Sequence, residues 1–265
     1  MRKISLVLLL AIFILPIALD VRADDDTNRL LNKRYIGNDV VKNMILPVVR
    51  LFSGERVNGT AFLIDHKGQK FAVTARHCVF KEEEWEAEKI TNPNLTRENF
   101  AQKSTSPSIE VVLGSLRQRF KATVKFVHPD QDIAVLKVNP ADDSFLPGDR
   151  KNQQLITLNT VVVASDKTFN GLKALDKVYV VGFPMGVENA KISDGILFPE
   201  DNGHFGSSAP ITFGNSGSPI FHADTLEVIG VVVYLYVGSE QMNHINGTVP
   251  IKYLKEAIVA GKLDN

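Results

Sequence analysis

The segment Gly214-Asn215-Ser216-Gly217-Ser218-Pro219 constrains this chain more than any other. Glycines stand two before and one after a serine, and apolar runs follow at residues 220–221 and 228–233. Such a pattern belongs where the backbone turns sharply and approaches a neighbour closely. A turn of this kind can aim successive N–H groups at one point, which suits a developing oxyanion. A serine alone is a poor nucleophile and needs a base, with a further group to orient that base. Candidates for both lie upstream. His77 lies in the run Thr74-Ala75-Arg76-His77-Cys78, which ends a strand, and Asp130 and Asp132 precede the apolar run 133–136.

The rest of the chain reads as many short strands separated by turn signals, the pattern of all-β barrels or sandwiches. Runs at 48–52, 59–64 and 70–74 come first, with a hairpin turn at 65–68 in which His66 reads as a solvated turn residue. Residues 81–102 break the pattern. Within them 81–89 reads as a short charged helix with a solvated face, anchored by Trp85. Strands resume at 109–113, 119–127 and 133–138, and Phe120, Ala122, Val124 and Phe126 alternate with period two. Residues 139–153, with two prolines and a glycine, form a natural linker between two barrels. Further strands are expected at 160–164, 177–183, 190–198, 209–212, 219–221, 228–236 and 246–249, then a closing helix at 251–260 with Gly261 just past its end.

The 265 residues balance 30 Lys and Arg against 30 Asp and Glu, which argues against a nucleic-acid partner held by bulk charge. The N-terminus has the form of a secretory signal. Arg2-Lys3 precedes an apolar run, Val21-Arg22-Ala23 offers small residues for cleavage, and three aspartates follow. The expected organisation is a signal at 1–23, an arm or leader at 24–44 and one domain at 45–265. Its first barrel spans about 45–140 and its second about 155–250. An exported protein, periplasmic or secreted, with no stable membrane association after cleavage is expected. With Cys78 as the one cysteine, such a protein has no internal disulfide. Cys78 itself reads as a small buried apolar side chain at a strand end. The histidines show no metal-ligand spacing, so neither a metal nor a cofactor is expected.

The chain resembles the trypsin/chymotrypsin-like serine peptidases. TARHC matches the family's TAAHC, HPDQDIAVL its aspartate segment and GNSGSP its GDSGGP, in the order His, Asp, Ser. The lone cysteine makes it similar to the bacterial exported members, HtrA-like or glutamyl-endopeptidase-like, rather than to the disulfide-dense animal enzymes. The resemblance implies two six-stranded antiparallel β-barrels with a C-terminal helix, and peptide or protein substrates. It implies a triad of His77, Asp132 and Ser216, since Asp132 directly precedes the apolar run, and Asp130 is left as an exposed turn residue. The oxyanion donors would be the N–H groups of Gly214 and Ser216. The expected activity is that of a serine endopeptidase working through an acyl-enzyme. The alternatives are a glutamyl endopeptidase of the same fold and a catalytically silent homologue that only binds peptides.

Two departures from the pattern bear on function. Ser218 stands where most members have glycine. Asn215 stands where zymogen-type members have an aspartate that pairs with a freed N-terminal amine. An amide cannot form that ion pair, so cleavage at Arg34, before Tyr35-Ile36-Gly37, is not expected to be needed. The primary pocket would lie between Ile211, Thr212 and Phe213 on one wall and Val233 and Tyr234 on the other. No acidic residue lies in either wall, which argues against Arg or Lys preference. Val232 and Ile211 occupy positions where glutamyl endopeptidases carry His and Thr. Apolar walls favour apolar side chains by roughly 1–3 kcal/mol per fitted group.

Overall fold

The computed structural model describes residues 41–113, 116–143, 158–200, 204–235 and 246–264. The signal at 1–23, the leader up to residue 40, the Arg34 site and most of the 139–153 linker lie outside the described residues. Two closed antiparallel barrels of six strands each make up the fold. The first contains β1 (Val48–Ser53), β2 (Arg56–His66), β3 (Gln69–Thr74), β4 (Pro107–Leu113), β5 (Leu116–Val127) and β6 (Ala134–Asp143), in the order β1-β2-β3-β6-β5-β4. The second contains β7 (Lys177–Gly182), β8 (Lys191–Pro199), β9 (Phe205–Ser207), β10 (Pro219–His222), β11 (Val228–Leu235) and β12 (Asn246–Pro250), in the order β10-β11-β12-β9-β8-β7.

Local chemistry explains why these strands start and stop where they do. The β2–β3 hairpin turns at Lys67 and Gly68, both left-handed at φ 52° and 79°, as a two-residue hairpin loop requires. Asp65 Oδ1 accepts the Gly68 N–H at 3.0 Å. His66 is not the solvated residue expected. Its Nε2 lies 2.7 Å from Asp264 Oδ1, and Lys67 donates to the same oxygen, so the C-terminus is clamped onto this turn. The barrels are filled by Leu51, Phe62, Leu63, Phe71, Ile109, Phe120 and Leu136 in the first, and by Val178, Val180, Ile220, Phe221, Ile229 and Val231 in the second. Val41 and Met44 are also buried, so packing begins a few residues before Ile45.

Several elements differ from expectation. Residues 160–164 form no strand beyond an isolated bridge between Val163 and Val228. They run instead as a strap between barrels. The Val161 N–H donates to Leu63 O at 2.8 Å in the first barrel, while Val228 N–H donates to Val162 O and Ala164 N–H to Val228 O in the second. Residues 209–212 are irregular, because the chain there turns toward the Ser216 loop, and the strand between β8 and β12 is β9, at Phe205–Ser207. Strand β6 continues to Asp143 through part of the expected linker.

The insertion after His77 holds two helices, α1 (Glu82–Thr91) and α2 (Arg97–Thr105). The second escapes a pattern search because its buried residues are few, but Thr96 caps it by accepting the Asn99 N–H at 3.2 Å. Phe80, Trp85 and Phe100 pack as a triangle with ring centroids 5.3–5.6 Å apart, and the Arg97 guanidinium lies 5.1 Å from the centre of the Phe80 ring. Among the described residues two shorter and later helices follow, α3 (Asp166–Asn170) and α4 (Lys252–Val259), the latter stopped by left-handed Gly261 at φ 69°.

Phe100 is 1% exposed, so Phe100→Ala removes the centre of the aromatic triangle and should destabilise the fold by about 3–5 kcal/mol. Ile90 on α1 is 82% exposed, and Ile90→Ala should stay within about 0.5 kcal/mol of the parent. Urea unfolding followed by tryptophan fluorescence checks both. Equal midpoints for the two variants would overturn the assignment of Phe100 as anchor of the insertion.

Candidate active site

His77 sits in a single helical turn, Arg76–Cys78, directly after β3, because Ala75 is extended and fully buried where the strand leaves the barrel. Asp132 sits in the β5–β6 loop, one residue before the buried Ile133. The structure brings them together. Asp132 Oδ1 accepts the His77 backbone N–H at 2.9 Å, and Oδ2 lies 2.7 Å from His77 Nδ1. A carboxylate can only accept, so Nδ1 carries a proton, and in the neutral ring Nε2 holds the lone pair. Burial disfavours charge on the ring. Hydrogen bonding to Asp132 and the neighbouring Cys78 side chain overcome it, so the His77 pKa is raised above its ordinary 6.5. The imidazole is still 46% exposed and open to an approaching group.

Two residues outside the expected set shape the Asp132 loop. Arg76 reaches across and donates through Nη1 to His128 O at 3.2 Å and Pro129 O at 2.7 Å. His128 Nδ1 accepts the N–H groups of Asp130 at 3.1 Å and Gln131 at 3.0 Å. Burial lowers the His128 pKa, which keeps Nδ1 available as an acceptor. Asp130 is exposed, as expected of a turn residue.

The Ser216 turn is defined by where its backbone hydrogen bonds go. Four successive carbonyls are held. Phe213 O accepts the Met185 N–H at 2.5 Å, Gly214 O the Thr60 hydroxyl at 2.7 Å, Asn215 O the Ser218 N–H at 2.8 Å and Ser216 O the Thr60 N–H at 2.9 Å. Of the N–H groups, Asn215 donates to Thr212 O at 3.1 Å and Gly217 to Val232 O at 2.8 Å. Among the described residues the N–H groups of Gly214 and Ser216 donate to nothing. Gly214 and Gly217 are left-handed at φ 94° and 86°, and a Cβ on either would come within 2.5 Å of Phe183 O or 2.1 Å of Thr60 O. Only glycine fits at both.

Ser216 is tied to the histidine segment through Cys78, whose buried, free Sγ lies 3.8 Å from Ser216 O. A Cβ on Gly59 would lie 2.8 Å from both Cys78 Sγ and Ser216 O, so the three segments meet with no room between them. Among the described residues no hydrogen bond joins the Ser216 hydroxyl to His77. Bonds of this type often lengthen in ligand-free sites. Asn215 is 5% exposed, and its Oδ1 accepts from the Ser218 hydroxyl at 3.4 Å, so both departures from the family pattern meet in one neutral contact.

Of the expected pocket residues, Ile211 and Thr212 are half-buried, Phe213 is 78% exposed and Val233 is buried. Tyr234 lies on β11 opposite Gly247. Asn246, opposite Leu235, was missed. It is wholly buried, and its amide donates to Ser207 Oγ and Ala209 O, both at 2.9 Å, which joins β12 to the segment leading into the pocket wall. A buried polar side chain whose groups are all spent in this way leaves no trace in hydrophobic patterning. Among the described residues no group of three or more His, Cys, Asp or Glu side chains is placed to hold a metal ion.

No curated protein sequence matches the chain significantly. Solved structures share its fold. The HtrA-type protease AlgW with a tripeptide superimposes with a TM-score of 0.57 at 18% identity over 85% of this chain, which spans 63% of that one. Deg5 superimposes with a TM-score of 0.56 at 19% identity, covering 92% of this chain and 98% of its own. Rv3671c from M. tuberculosis, in an inactive mutant form, gives 0.51 at 18% identity over 81% of this chain and 85% of its own. At such identities the likeness concerns the fold. A family model described as a trypsin-like peptidase domain matches residues 59–231, well over half the chain and all three of His77, Asp132 and Ser216. The chain belongs to the trypsin-like peptidase domain family.

Proposed function

We propose that the chain is a serine endopeptidase that cleaves peptide bonds through an acyl-enzyme on Ser216. His77 Nε2 takes the Ser216 hydroxyl proton as Oγ attacks the scissile carbonyl, then delivers it to the leaving amine. Asp132 holds the ring by Nδ1 and stabilises the imidazolium. The Gly214 and Ser216 N–H groups bind the oxyanion, a contribution on the order of 3 kcal/mol per donor. A water then repeats the sequence on the acyl-enzyme.

The observation that carries this reading is the hydrogen-bond accounting of the turn. Four carbonyls are fastened to partners, while among the described residues the N–H groups of Gly214 and of Ser216, the candidate nucleophile, donate to nothing and stay half-buried. Such unspent donors support a role in binding a ligand oxygen. AlgW structures hold peptides, a tripeptide in one and a decapeptide in another, which supports peptide substrates here. The exposed apolar Phe213 and half-buried Ile211 support apolar side chains before the scissile bond. The apolar N-terminal run supports export.

Ser216→Ala should lower turnover of a peptide substrate by at least about 10³-fold while leaving the melting temperature within a few degrees. A fluorophosphonate probe should label the parent at Ser216 and leave the variant unlabelled. Hydrolysis by the folded variant at the parental rate would overturn the assignment.

The raised His77 pKa sets the sign of the pH dependence. Only the neutral ring accepts a proton, so kcat/KM should fall as pH drops, with its midpoint above the ordinary 6.5. Asp132→Asn removes the charge that raises the pKa, so the midpoint should move down while the rate drops by roughly 10³–10⁴-fold. A profile flat from pH 5 to 9 in folded protein would count against His77 as the base.

A further inference from the structure

Thr60 lies on β2 of the first barrel, yet its side chain and N–H are spent almost wholly on the second. It is fully buried. Its N–H donates to Ser216 O at 2.9 Å, its hydroxyl donates to Gly214 O at 2.7 Å, and the same oxygen accepts the Phe183 N–H at 3.1 Å. Its own carbonyl accepts the Thr74 hydroxyl at 2.8 Å, which fixes it within the first barrel.

The hydroxyl therefore controls Gly214 from two sides. Directly, it holds Gly214's own carbonyl, which fixes the peptide that follows it. Indirectly, it holds Phe183, whose carbonyl accepts the Gly186 N–H at 3.0 Å and closes the turn Pro184–Gly186. That turn presents the Met185 N–H to Phe213 O, which fastens the peptide before Gly214. Met185 itself is left-handed at φ 54°, so this turn is under strain and needs its anchor. Glycine allows more backbone conformations than any other residue, and nothing intrinsic to Gly214 stops its N–H from swinging out of the site.

We propose that the Thr60 hydroxyl is a positioning residue for catalysis: a neutral clamp, reaching from the first barrel, that keeps the Gly214 N–H aimed at the oxyanion. This rests on the reading of Gly214 and Ser216 as oxyanion donors. The clamp supplies by hydrogen bonding what the uncharged Asn215 cannot supply by ion pairing. It also needs no freed N-terminus.

Thr60→Val keeps the shape and removes the hydroxyl, and Thr60→Ser keeps the hydroxyl and removes the methyl. The clamp requires Thr60→Val to lose about 10–100-fold in kcat with KM within about two-fold, a part of the loss seen when an oxyanion donor is deleted outright. The rate of Ser216 labelling by a fluorophosphonate should fall by a similar factor. Thr60→Ser should stay within about three-fold of the parent in both. A purely structural threonine would lower the melting temperature in both variants and leave kcat unchanged in whatever remains folded, which would overturn the clamp. If Thr60→Val does not fold, Thr60→Cys takes its place. The thiol fits the site but donates poorly, so it must show the same loss relative to Thr60→Ser, and parental kcat in it would equally overturn the proposal. A parent chain that neither hydrolyses peptides nor labels at Ser216 would remove the peptidase reading itself. An active parent with a fully active, folded Thr60→Val would remove only the clamp.

Discussion

The site depends on the backbone of a single turn being held from outside itself. Residues 213–217 contain two glycines in left-handed conformations, and such a segment has little conformational preference of its own. What gives it a shape is the set of partners that take its carbonyls, and those partners come from elsewhere: Thr60 from the first barrel and Met185 from the β7–β8 connection. The placement of the unspent Gly214 and Ser216 N–H groups is thus a product of barrel docking. This explains the close approach recorded at Gly182, where a Cβ would lie 2.1 Å from Ser218 Oγ and 3.1 Å from Thr60 Oγ1. It also explains why the strap at 160–164 matters. By bonding Leu63 on one side and Val228 on the other, it holds the two barrels in the register that lets Thr60 reach the turn.

The histidine and aspartate are positioned by a different means. Both belong to the first barrel, and their geometry comes from short-range polar contacts at the ends of β3 and β5. Asp132 uses both oxygens on one residue, which fixes the ring and the backbone of His77 together. Arg76 then closes the arrangement by holding the carbonyls of the loop that carries Asp132. Adjacent residues Arg76 and His77 grip one loop from two directions, so small movements of that loop carry base and orienter along together. The geometry of His77 and Asp132 is therefore internal to one barrel, while that of the 213–217 turn spans both.

This division accounts for what could be read from the chain beforehand. His77, Asp132 and Ser216 stand out in the sequence because a base, an orienter and a nucleophile would need those residue types, and because each sits beside an apolar strand that marks its context. Trp85 and Cys78 are legible as buried side chains for the same reason, apolar groups at element ends. Thr60 is not. Threonine is common in strands, and nothing in its neighbours says that its hydroxyl turns toward another barrel. Gly59 beside it was the available signal, since a glycine inside a strand marks a close backbone approach, here 2.8 Å from Ser216 O for a built Cβ. Met185 acts through its N–H, which every residue but proline has, so its side chain could never have announced it. Residues 160–164 misled for a physical reason as well. Their valine-rich run is apolar because Val161 and Ala164 are buried between barrels, and hydrophobic periodicity does not distinguish burial in a sheet from burial in a strap.

The two-helix insertion shows how a segment far from the reacting atoms still reaches them. Strand β5 pairs with β4 only from Leu116 to Lys121, and its pairing with β6 shifts register between Val124 and Phe126. Helix α2 supplies partners there. Gln102 Oε1 accepts the Val124 N–H at 2.8 Å, and Glu98 Oε1 accepts the Val127 N–H at 3.2 Å. A buried N–H without a partner costs about 1–3 kcal/mol, so these two side chains stabilise the later part of β5. A register shift near a site commonly serves to re-aim the chain that follows it. Here the chain that follows is His128 to Asp132. The charged helices thus do more than present a solvated face. Their polar side chains hold the part of β5 that leads into the Asp132 loop, while the buried Phe100 and Trp85 fasten them to the barrel.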